Sequence, residues 1–192
     1  MNLLSILMFL FLISGCWDSD TKQTPTGEVE IIDGHTLPPD PGEAGKETLL
    51  GIDSNDDGVR DDVERYIYHR FSKEEYPKTK IAIAMQFGRA VQKILVNPQH
   101  AYENKTYIYL ENASDCQEYF IGKITKNDTF EVYMNFSNKH TVFDEYFEDF
   151  VFNTKDRLEA YIAFNASLSG HTFSDSRQTI ADCEVNINDI VE

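Results

Sequence analysis

The chain predicts a mainly α domain, on two observations. Apolar residues recur at spacings of three and four through most of residues 59–168. Proline and glycine stand at the edges of those stretches, where helices begin and end. Period-two alternation in FEVYMNF (130–136) fits a strand as well as a helix and leaves that stretch ambiguous within the helical pattern.

Taken in order, residues 16–47 read as a flexible tether. They are polar, and Pro38, Pro39 and Pro41 forbid a helix. Glu28 to Ile32 has the composition to pair as a short strand. The domain then spans 48–192. Val59, Val63, Tyr66, Ile67 and Phe71 line one face of a first helix. A second begins at Pro77 and ends before Pro98, with Ile81, Met85, Phe87, Val91, Ile94 and Leu95 making it apolar on most sides. A third is predicted over Tyr102 to Phe120, with Tyr109, Ala113, Cys116 and Phe120 on one face and Gly122 as its stop. TVFDEYFEDFVF (141–152) carries an aromatic stripe opposite its acids. Asn153 reads as the N-cap of a last helix, in which Leu158, Tyr161, Ile162 and Leu168 follow as the apolar positions, with Gly170 as the C-cap. SDSRQTIADCE (174–184) is expected to form a short helix that delivers Cys183 to the third.

The first fifteen residues, MNLLSILMFLFLISG, carry no charged side chain. Their apolar run is too short for a bilayer, which takes about 20 residues, and has the length of a signal-peptide core. Ile13-Ser14-Gly15-Cys16 resembles the lipobox of bacterial lipoproteins. That resemblance implies cleavage before Cys16 and lipidation of Cys16, which then becomes a membrane anchor. Trp17 stands where inner-membrane lipoproteins of enteric bacteria carry Asp, which implies the outer membrane, facing the periplasm. A simple secretory signal or an uncleaved anchor is the plainer alternative.

The net charge of −16 survives removal of the leader. It argues against nucleic acid and anionic lipid heads as partners, and favours cations or a protein with a basic surface. Thirteen Phe and ten Tyr supply a sizeable core despite that charge. Cys116 and Cys183 remain once Cys16 is lipidated. An exported chain meets an oxidising compartment, so they are expected to form a disulfide, and no C-x-x-C spacing supports a metal or redox pair. Closing a loop of that length would stabilise the fold by roughly 4 kcal/mol.

Residues 53–64, DSNDDGVRDDVE, hold six acids among twelve residues with Gly58 in the middle. Asp53, Asn55 and Asp57, then Gly58, then Glu64 six positions on, match the spacing of an EF-hand calcium loop. Calcium is a hard ion that takes six to eight oxygens at about 2.3–2.6 Å. Alternate side chains of such a loop converge, the glycine permits the sharp turn, and the next carbonyl, that of Val59, faces the ion. Asp61 stands where a direct or water-bridged ligand belongs, and Glu64 closes the shell with two oxygens. Asp56 and Asp62 are expected to point outward. Arg60 occupies the position that is aliphatic in paired EF-hands, and neither a sister loop nor an incoming helix is present. The loop therefore resembles the lone EF-hand-like sites of extracellular modules, for which affinities on the order of 10⁻⁵ to 10⁻³ M are usual. The plainer reading is a capped, solvated turn at a helix start. Residues 37–68 together resemble the opening of a group of bacterial lipoproteins of uncharacterised function, in which a proline-rich tether runs into one such loop and helix.

His35, His69, His100, His140 and His171 have no partner at metal-ligand spacing. Ser169 near His171 lacks a nucleophile elbow, and Glu145, Glu148 and Asp149 read as a solvated helix face. No catalytic residue is assigned. The expected function is a lipid-anchored periplasmic protein with one structural calcium ion and a protein-interaction role. The alternatives are an inhibitor or immunity-type lipoprotein and a hydrolase whose site is assembled from distant residues.

Overall fold

The computed structural model describes residues 29–173 and 177–191. The leader, the lipobox, Cys16 and the first part of the tether lie outside them. The described chain is mainly helical, with strands β1 (Ile31–Ile32) and β2 (His35–Thr36) followed by α1 (Asp61–Phe71), α2 (Pro77–Val96), α3 (Tyr107–Ile124), α4 (Phe130–His140), α5 (Glu145–Val151) and α6 (Lys155–Leu168). None of these helices is long and apolar enough to cross a membrane.

α2 is the hub, packing against α1, α3 and α6. Ile83, Ala84, Phe87, Ala90, Val91, Ile94 and Leu95 are all buried on it, which is why its sequence is apolar on most sides. Each fully buried Ile, Leu or Phe contributes about 1.5–3 kcal/mol. The turn into α2 is sharp because Tyr76 takes a left-handed conformation (φ 59°) directly before Pro77, where a proline disfavours the right-handed helical region. The Tyr76 ring then fills the gap between Phe120, Phe136 and His140. α1 buries Val63, Ile67 and Phe71 on the face its spacing predicts.

Several boundaries and phases differ from expectation. α3 starts at Tyr107, five residues late, because Lys105 adopts a positive φ of 56° that no helix accommodates. Gly122 does not stop it. The helix continues to Ile124, with Ile121 and Thr125 buried at its end. Tyr109 lies 42% exposed rather than in the core. The ambiguous FEVYMNF stretch is helical, capped by Thr129 Oγ1 accepting from the Val132 amide. α5 is shorter than its stripe, with Asp144 as N-cap. Thr154, not Asn153, caps α6. Leu158 and Ile162 are exposed, while Arg157, Ala160 and Phe164 face inward. Gly170, at φ +81°, follows directly after the C-cap Ser169 and ends α6.

Cys116 on α3 and Cys183 are bonded, with Cα atoms 4.9 Å apart. Among the described residues of the segment that delivers Cys183, the helical part is a 3-10 turn, Ile180–Asp182, with Cys183 as its C-cap. Residues 29–47 are not a free tether. β1 and β2 form a hairpin through Asp33 and Gly34, both at positive φ. Leu37 is buried behind it, and a 3-10 turn at Gly42–Lys46 follows.

Candidate metal centre

The acidic loop 53–64 sits where the hairpin segment meets α1, and the core holds it from two sides. Val59 is fully buried against α2 at Gly88, where an added Cβ would stand 2.9 Å from Val59 Cγ1. Only a residue without a side chain admits Val59 there. The Arg60 side chain runs the other way, into the protein. Its Nη1 donates to the Val151 carbonyl at 3.0 Å, and its Nε and Nη2 grip Asp62 at 2.5 and 3.0 Å. Asn153 Nδ2 donates to the same Asp62 carboxylate at 3.2 Å. Asp62 is therefore paired inward, contrary to the outward position expected for it, because a buried guanidinium needs a counter-charge. Arg157, also fully buried, extends this network. It donates to the carbonyls of Leu49 (3.0 Å), Gly45 (2.6 Å) and Thr48 (3.1 Å) and to Asn153 Oδ1. Burial, with the Arg60 charge nearby, lowers its pKa to about 10. Gly51 makes room for this crossing, since a Cβ there would stand 2.3 Å from Arg60 Cδ.

Within the loop, backbone amides fasten the side chains in turn. Asp53 accepts from the amides of Asp57 (3.2 Å) and Gly58 (2.9 Å). Asn55 Oδ1 accepts from Asp57 N at 3.3 Å, and Asp57 Oδ1 from Val59 N at 2.8 Å. Asp61 Oδ1 accepts from Ser54 N at 2.8 Å, while the Asp61 amide donates to the Ile52 carbonyl at 2.8 Å and closes the loop's base. Gly58 turns at φ +86°, with Arg89 lying over it. Asp56 is exposed, as expected.

The two acids at the helix end are the most buried. Asp61 is 1% exposed and Glu64 is 0%. Burial raises the Asp61 pKa, the Ser54 hydrogen bonds offset part of that rise, and the charges of Asp53 and Asp57 add to it. Burial likewise raises Glu64, offset by its hydrogen bond to His35, with the Asp57 charge pushing the same way as burial. All six expected ligand residues thus lie within reach of one another's charge or hydrogen bonds, Val59 through its amide. Among the described residues, however, no group of three or more His, Cys, Asp or Glu stands close enough to hold a metal ion. Glu64 instead shares Oε1 with His35 Nε2 at 2.6 Å and accepts at Oε2 from Asn55 Nδ2 at 3.1 Å.

The donor set is all oxygen, the kind a hard cation takes. An approach from solvent exists. A groove of about 520 Å³ opens onto Asp53, Asp56 and Asp57, walled opposite by Arg89 and Lys93 on α2. A second of about 900 Å³ is lined by Asp57 and His35 together with Arg89. His35 is the residue that sequence reasoning missed. It lies 29 positions before Glu64, so no local spacing could connect the two. Comparison of the chain with protein-family models, with curated proteins and with solved structures found no match.

Proposed function

We propose that this is an exported protein, held by a lipid on Cys16 at the periplasmic face of the outer membrane, whose helical domain carries one structural calcium ion at residues 53–64. Asp53, Asn55 and Asp57, the Val59 carbonyl, Asp61 and Glu64 would hold it. When bound, the ion supplies positive charge to carboxylates that otherwise repel one another. The observation that carries the reading is the burial of Asp61 and Glu64 beside Asp53 and Asp57, in a loop whose backbone the core fixes through Val59 and Arg60. Four carboxylates so placed are costly without a counter-charge. The role of the domain is then interaction: its acidic surplus suits a protein partner with a basic surface.

Thermal unfolding of the mature chain in detergent, with calcium and with a chelator, tests this. Calcium at 100 times its dissociation constant stabilises the fold by about 2.7 kcal/mol, and Asp53→Ala with Glu64→Ala removes that gain. Identical melting with and without calcium contradicts the reading.

A further inference from the structure

Glu64 is the last residue of the acidic loop and also the point where the hairpin docks. The hairpin lies along α1 over Glu64, Arg65, Tyr68 and His69, a stripe one turn long on the side away from the Val63, Ile67 and Phe71 core face. His35 on β2 stacks flat on Tyr68, with centroids 4.1 Å apart and planes 6° from parallel, and its Nε2 meets Glu64 Oε1 at 2.6 Å. Arg65 donates to the Pro38 carbonyl at 2.9 Å and pairs with Glu30. His69 lies 3.2 Å from the same Glu30. The hairpin itself closes through Leu37 N donating to the Glu30 carbonyl at 2.8 Å. One carboxylate therefore touches both the loop, through Asn55, and the hairpin, through His35.

We propose that His35 is a positioning residue for Glu64, so that docking of the 31–36 hairpin and calcium binding at the loop strengthen each other. This rests on the calcium reading above. A carboxylate oxygen has two acceptor sites, so the His35 N–H fills one on Oε1 and leaves the carboxylate free to accept a cation. The ring is itself held by the Tyr68 stack, so it fixes the Glu64 rotamer before any ion arrives. A flexible glutamate would otherwise lose that freedom on binding. Partners of this kind typically change metal affinity 10- to 100-fold when removed. The linkage is reciprocal: whatever His35 adds to calcium affinity, calcium adds to hairpin docking.

Calorimetric titration of calcium into the full mature chain in detergent, with hydrogen exchange on the same samples, tests the proposal. His35→Ala is expected to weaken calcium about tenfold, and His35→Gln, which keeps a neutral side-chain N–H donor, to restore most of the loss. Calcium slows exchange of the 31–37 amides in the natural chain and leaves them unchanged in His35→Ala. Equal or tighter calcium binding by His35→Ala, or failure of His35→Gln to recover affinity, overturns this inference while the calcium reading stands. Absence of calcium binding by the natural chain overturns both.

Discussion

Arg60 Nη1 donates to the Val151 carbonyl across 91 residues of sequence, and so anchors the acidic loop to the junction of α5 and α6. The guanidinium is 1% exposed and paired with Asp62. Removing one member of a buried pair leaves an uncompensated charge. Arg60→Ala is therefore expected to lower unfolding stability by about 3–5 kcal/mol, read from urea midpoints. Lys155→Ala, which breaks an exposed pair with Glu159, should leave the midpoint where it was. Equal midpoints for both variants would show that the Arg60 network contributes little.

Val59 and Gly88 form the loop's other support. Alanine in place of a mid-helix glycine ordinarily stabilises by roughly 0.5–1 kcal/mol. Here the added Cβ meets Val59 Cγ1 at 2.9 Å, and Val59 is fully buried. Overpacking typically costs about 1–3 kcal/mol, so the clash outweighs the propensity gain. Gly88→Ala is expected to be net destabilising, and Val59→Ala on the same background to recover part of the loss. A stabilised Gly88→Ala chain would mean that Val59 moves aside freely.

The disulfide joins α3 to the C-terminal segment over a separation of 67 residues. Cys116→Ala with Cys183→Ala is expected to lower stability by roughly 2–4 kcal/mol. Measured on the oxidised natural chain and the double variant side by side, an unchanged urea midpoint would contradict this.

His140 gives the fold a pH dependence. It is buried at the end of α4 beside Tyr76 and Phe136, its Nδ1 has no hydrogen-bond partner among the described residues, and Glu75, Glu74, Lys80 and Lys139 surround it. Burial, then the Lys80 charge, holds its pKa below 6.5. As pH falls through 6.5 the unfolded chain takes up a proton that the folded chain refuses, so stability drops with acidity. The loss between pH 7.5 and 5.5 is expected to be smaller in His140→Leu. An identical loss in the natural chain and the variant would exclude His140 as its source.

How much of this was legible in the sequence depends on how local each cause is. α2 could be read to within two residues, because Pro77 starts it and Pro98 follows its end. The acidic loop could be read because its spacing is contained in twelve residues. The phase of α6 could not. Arg157 is polar by type, yet it takes the core-facing position because carbonyls of residues 45–49, more than a hundred positions away, satisfy it. Leu158 and Ile162 are displaced to solvent in consequence. Residues 29–47 look like a tether for the same reason, since what docks them is supplied by Arg65, Tyr68 and Arg157.

Lipidation is checked by labelling growing cells with a radioactive fatty acid. Cys16→Ser is expected to abolish incorporation and release the protein from the membrane fraction. Label retained by Cys16→Ser would place the lipid elsewhere and overturn the proposed anchor.

The most direct measurement is the stoichiometry and selectivity of cation binding by the mature chain, followed by calorimetry with calcium and with magnesium. One calcium per chain is predicted, bound on the order of 10⁻⁵ to 10⁻³ M, more tightly than magnesium, and lost in Glu64→Ala. No saturable calcium binding, or binding that persists in Glu64→Ala, would contradict the account.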